Sequence, residues 1–244
     1  MIGTYDLAIA AVSVLLSLAA VAVCVRSKYF LAYFWLNLYL VSNIAFMVGS
    51  LYTIWSYGYT SPQYFYFYFT GDAIMSVLSY LLIGSFFIYL FRHSVFRKYI
   101  QLTLVFFFVG VVIVSGSFIS GSVDRLYSRW VIEFEQNMYF VGVLLTFLLW
   151  MTMSYLGAET RRFVLLVSGM GIFFTAHAAN YALRFLVPGL ADVLARVPPL
   201  AYTFMVLLWL YTFLRVPEGE PAVEAAGARG GLREVLVKVQ IARE

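Results

Sequence analysis

The stretch YFYFYFTGDAIMSVLSYLLIGSFFIYLFRHSVFRK, residues 64–98, decides the fold. It opens on alternating aromatics from Tyr64 to Phe69, carries one acid, Asp72, and runs without another charge to Phe91. It closes on a basic cluster of Arg92, His93, Arg97 and Lys98. Amphipathic aromatics suit the boundary between water and lipid, the uncharged middle suits hydrocarbon, and the basic end suits a cytoplasmic surface. Asp72 lies where an acid is costly, so it is a candidate functional group from the outset.

The rest of the 244-residue chain agrees with a membrane reading. It is 63% hydrophobic and only 11% charged, with a mean hydropathy of +0.89. Soluble domains carry roughly 25% charged residues, and long charge-free runs are the signature of spans. The net charge of +4 comes from short basic clusters between apolar runs. That is positive-inside bias, not a nucleic-acid footprint. The expected partner is the lipid bilayer, with no nucleic acid. One cysteine, Cys24, allows no intrachain disulfide and reads as a small packed core residue. Residues 1–6 lack a basic leader, so the first apolar run reads as a retained helix.

The charges divide the chain into seven predicted spans: 7–25, 29–54, 64–91, 99–119, 136–158, 163–183 and 197–214. No charge occurs from 29 to 71, which is too long for one helix. The break falls in the polar stretch 56–63, which contains Gly58 and Pro62. Residues 124–135 form a charged, amphipathic connection expected to lie on the surface. Two prolines, Pro198 and Pro199, open the last span, where the first helical turn tolerates them. The fold class is therefore all-α and polytopic, with a seven-helix transmembrane domain over 1–215 and a cytoplasmic tail over 216–244. Within the tail, 232–241 alternates apolar and polar residues and fits strand or helix equally.

Orientation follows from the basic residues near the helix ends. Arg26, Lys28, Arg92, Arg97, Lys98, Arg161, Arg162 and Arg215 fall on one side, and Arg125, Arg129, Arg184 and Arg196 on the other. The richer side is cytoplasmic by the positive-inside rule. The N-terminus is then outside and the C-terminus inside, in a bacterial inner (plasma) membrane.

Polar residues inside the spans locate a candidate site. Asp72 lies eight residues in from Tyr64, and His177 seven residues in from Arg184. Both are then about 11 Å below the outer surface, with Asn43 a little deeper. His177, Asn180 and Arg184 share one helical face. Gly171, Thr175 and Ala179 make a row of small residues that invites a close helix neighbour. The candidates for ligand or proton handling are Asp72, His177, Asn180, Arg184 and Asn43. The same residues also fit a purely structural role as hydrogen bonds between helices.

Motifs for catalysis are sparse. Two histidines cannot supply a three-histidine zinc site or paired axial haem ligands, since His93 sits in the basic turn. There is no cysteine pair, phosphate-cradling glycine loop or nucleophile elbow. No enzyme, cofactor or metal is expected.

In topology the chain resembles microbial rhodopsins, but 197–214 contains no lysine for a retinal Schiff base, which excludes that family. Through Ile88-Tyr89-Leu90-Phe91-Arg92, Phe96-Arg97-Lys98-Tyr99 and Trp209-Leu210-Tyr211 it resembles uncharacterised bacterial seven-helix membrane proteins, a resemblance that implies no activity. It also looks like the seven-helix input modules of bacterial sensors, although no kinase or other output domain follows. The expected function is a non-enzymatic sensor of an extracytoplasmic ligand, or a membrane subunit of a larger complex. A protein partner would dock on tail residues 232–241. The alternative is a proton-coupled small-solute transporter or channel using Asp72 and His177. The weakest alternative is an intramembrane lipid-modifying enzyme built on the same pair.

Overall fold

The computed structural model describes residues 4–92, 94, 96–117, 123–156 and 160–217. The basic-turn His93 and the tail segment 232–241 lie outside them. The described chain is helical: α1 (Thr4–Arg26), α2 (Phe34–Tyr57), α3 (Pro62–Leu90), α4 (Arg97–Ser117), α5 (Val123–Leu156), α6 (Arg161–Leu186), a 3-10 turn (Pro188–Leu190), the short α7 (Ala191–Leu194) and α8 (Val197–Arg215). Seven of the helices, all but α7 and the 3-10 turn, are long and apolar enough to cross a membrane.

The break between α2 and α3 forms where glycine and proline demanded it. Gly58 caps α2 with φ of 85°, a left-handed conformation that favours glycine. Ser61 then caps α3, its Oγ accepting from the Tyr64 amide at 3.1 Å, with Pro62 in the first turn. The turn after α1 is tighter than the sequence suggested. Lys28 takes φ of 61°. The Tyr29 amide bonds Cys24 O and the Lys28 amide bonds Val25 O, the paired bonds of a Schellman cap. Residues 30–33 consequently form turns, and the second span begins at Phe34 instead of 29.

One larger correction concerns residues 124–135. They are not a surface connection; they are the first three turns of α5, which continues unbroken to Leu156. The apolar positions explain why. Val131, Phe134, Met138, Leu145, Leu149 and Met153 are all buried, so one helical stripe runs through the expected boundary at 136.

Helices α1, α2, α3, α5, α6 and α8 close into a ring of neighbours, with α4 packed outside against α3 and α5. The core inside is dense with aromatics. Trp209 is fully buried, and its indole nitrogen donates to Leu166 O at 3.0 Å, joining α8 to α6. Outward-facing Leu15, Leu102, Phe106 and Ile113 are well exposed. Apolar surface of that extent suits lipid as solvent, with backbone bonds satisfied inside each helix.

Candidate functional site

Consecutive spanning helices run in opposite directions, so the bundle has two ends. The first holds the α2–α3 connection and the start of α5; the second holds the basic α3–α4 connection. On α3, Tyr64, Tyr68, Asp72 and Ser76 recur every four residues and share one face. The Tyr68 hydroxyl lies beside the Asp72 carboxylate. Facing them on α5 is Glu135, 5% exposed. Its Oε1 accepts from Ser76 Oγ at 3.5 Å and its Oε2 accepts from the Tyr181 hydroxyl of α6 at 2.7 Å. Asp72 and Glu135 are close enough to interact electrostatically. Among the described residues neither carboxylate is paired with a lysine, arginine or histidine.

His177 joins this cluster by stacking and not by an acid. Its ring lies 4.5 Å from that of Tyr139, one turn along α5 from Glu135, and 4.2 Å from that of Phe173. Its Nδ1 bonds Phe173 O at 2.9 Å. Tyr139 in turn stacks on Tyr181 at 6.0 Å. The sequence placed Asp72 and His177 at one depth; the structure puts Glu135, Tyr181 and Tyr139 beside them. Counting along the helices from Pro62 and Val123, Asp72 lies about 15 Å and Glu135 about 18 Å inside the first end.

The remaining candidates line the same half of the bundle. Asn43 lies one turn from Phe46, whose ring covers Gly71, the neighbour of Asp72. Asn180 is 3% exposed. Asn43 Oδ1, Asn180 Oδ1 and Arg184 Nε are all buried without a hydrogen-bond partner among the described residues. Such groups are uncommon in native interiors and each calls for an explanation. In the small row of α6, Gly171 meets α5 closely, since a Cβ there would lie 3.0 Å from Thr146 Cγ2. Thr175 and Ala179 are exposed and, with Gly171, line an open groove between α5 and α6.

A second polar patch extends the cluster sideways. Ser17 bonds Tyr202 at 2.8 Å and Ser13 bonds Thr203 at 2.7 Å, linking α1 to α8. The Tyr202 ring lies 6.5 Å from Phe173 and 6.2 Å from Tyr39. Towards the second end the interior changes character. Leu40, Ile83, Leu166, Val167, Met170, Met205, Val206 and Trp209 are all fully buried. An apolar layer thus closes the polar half.

Nearer the second end, Arg162 is 2% exposed on the first turn of α6. Its guanidinium lies over Tyr29 at 4.2 Å, Phe213 at 5.1 Å and Tyr33 at 5.7 Å. This aromatic cage fastens α6, α8 and the α1–α2 turn together.

The sequence contained a signal for Glu135 that the charge-based punctuation obscured. Glu135 and Tyr139 stand at i and i+4 on a stripe already carrying Val131, Phe134 and Met138. Reading the charged run 124–135 as one surface connection placed Glu135 outside the span. Among the described residues no group of three His, Cys, Asp or Glu side chains could hold a metal ion. Compared with protein-family models, with curated proteins and with solved structures, the chain has no match.

Proposed function

We propose that this is a non-enzymatic sensor in the inner membrane of a bacterium, either alone or as the membrane subunit of a larger complex. The N-terminus faces outward and the tail lies in the cytoplasm. The site binds a small extracytoplasmic molecule that enters at the first end. That molecule presents hydrogen-bond donors or positive charge to Asp72 and Glu135, and an acceptor to Arg184. The observation that carries this reading is the asymmetry of the interior. Both buried acids, with Tyr139, Tyr181 and His177 beside them, lie in one half, and an apolar layer from Leu40 to Trp209 separates them from the buried Asn37 and Arg162 of the other. A polar half backed by an apolar layer suits capture better than passage.

Mass spectrometry of small molecules released on denaturing protein from native membranes tests the proposal. Release from the wild type and loss in Asp72→Asn and Glu135→Gln support it. Wild-type and variant releasates that are identical contradict it.

The second reading is a proton-coupled transporter or channel, favoured by two neighbouring carboxylates, one of them bonded to the Tyr181 hydroxyl. Proton flux into liposomes, present in the wild type and absent from Asp72→Asn, would favour this reading over sensing.

A further inference from the structure

A groove near the second end has a different chemistry. One branch of about 320 Å³ runs between the start of α2 and the end of α3 and reaches Arg92. Another of about 440 Å³ runs between α3 and α4. Trp35, Ser85 and Ile88 line both branches, so the two adjoin at that point. The lining is almost wholly apolar except at the Arg92 end. Arg92 is exposed, and Arg97 and Lys98 follow it, also exposed, at the start of α4. The α3–α4 branch extends from Ile88 to Val77, about 17 Å along the helix. That is close to the roughly 15 Å of hydrocarbon in one leaflet.

We propose that this forked groove binds one anionic phospholipid, with its phosphate at Arg92 and its two acyl chains in the two branches. Charge complementarity selects the occupant, because basic pockets between helices suit anionic headgroups. A second copy of the chain is a poor alternative. Isologous pairing through this face would bring Arg92, Arg97 and Lys98 against their own equivalents. Gly84 gives the α3–α4 branch its depth. A Cβ built there meets only Leu104 Cδ1, at 3.6 Å, so a larger side chain projects into the groove without disturbing backbone.

Trp35, in the wall of both branches, is a built-in reporter. The full chain is reconstituted in phosphatidylcholine vesicles in which a minor share of lipid is phosphatidylglycerol with brominated chains. Mirror vesicles carry the same share of brominated phosphatidylcholine. The Trp35 contribution is the difference between the wild type and Trp35→Phe. Brominated phosphatidylglycerol should occupy the site about fivefold more than brominated phosphatidylcholine. Arg92→Gln should bring the two lipids to parity, and Gly84→Leu should reduce quenching by both. Equal quenching by the two lipids in the wild type overturns the proposal. So does a phosphatidylglycerol preference that survives Arg92→Gln.

Discussion

The Tyr181 hydroxyl on α6 donates to Glu135 Oε2 on α5 at 2.7 Å. This bond ties the acid of one helix to the next and fixes where the carboxylate points. Removing it in Tyr181→Phe leaves the ring in place and a buried carboxylate oxygen without its donor. The expected cost is about 1–3 kcal/mol, read as a lower thermal midpoint in detergent. Glu135→Gln should suffer less from the second substitution, because an amide oxygen loses less than a carboxylate. A double-mutant cycle measures the difference, and equal costs in both backgrounds would show that the bond is not coupled to the charge.

The cage around Arg162 makes a second prediction. A planar guanidinium spreads its charge over three rings, whereas an ammonium offers a point charge and stacks poorly. Arg162→Lys keeps the charge but should still destabilise the bundle by about 1–2 kcal/mol. Tyr29→Leu should lower stability in the same direction and make Arg162→Lys milder. If Arg162→Lys is neutral in thermal unfolding, the rings are not what holds the guanidinium.

Much of the fold was legible from charge spacing together with glycine and proline positions. Gly58 and Pro62 announced the α2–α3 break, and Pro198 and Pro199 the start of α8, because backbone chemistry leaves few alternatives at those residues. Tyr29 to Tyr33 deceived the reading, since five apolar-leaning residues look helical until the left-handed Lys28 turns the chain. Glu135 deceived it in the opposite sense. An acid inside a span contradicts composition rules and is stabilised only by partners distant in sequence, here Ser76 and Tyr181. Asp72 was found because it stood alone in a long apolar run. Its neighbours were invisible because helix order around the ring is not encoded in any one helix.

Two glycines separate close approach from open space. A Cβ on Gly142 would lie 2.5 Å from Phe174 Cδ1, and Phe174 is 1% exposed with no room to retreat. Gly142→Ala should destabilise by about 1–3 kcal/mol through overpacking between α5 and α6. Gly110 on α4 has no atom within 4 Å of the same position. Gly110→Ala should be neutral or stabilising by up to about 1 kcal/mol through helix propensity. Thermal midpoints of the two variants, measured side by side, should move in opposite directions or differ by the full packing cost.

The α1 cap yields a test on a single backbone angle. Lys28 holds φ of 61° without being glycine. Lys28→Gly should relieve about 1 kcal/mol of left-handed strain, set against the greater freedom of the unfolded glycine. Lys28→Val, β-branched in the same conformation, should destabilise. A Val variant as stable as the wild type would mean that the turn after α1 is not left-handed.

The central claim is that Asp72 faces a polar half open to the outside and closed below by apolar packing. Cysteine accessibility measures it directly. In a Cys24→Ala background, Asp72→Cys and Met170→Cys are exposed in intact cells to a membrane-impermeant methanethiosulfonate. The account predicts rapid labelling at 72 and none at 170. Labelling of 72 only from the cytoplasmic face of inverted vesicles, or equal labelling of both positions, would contradict it.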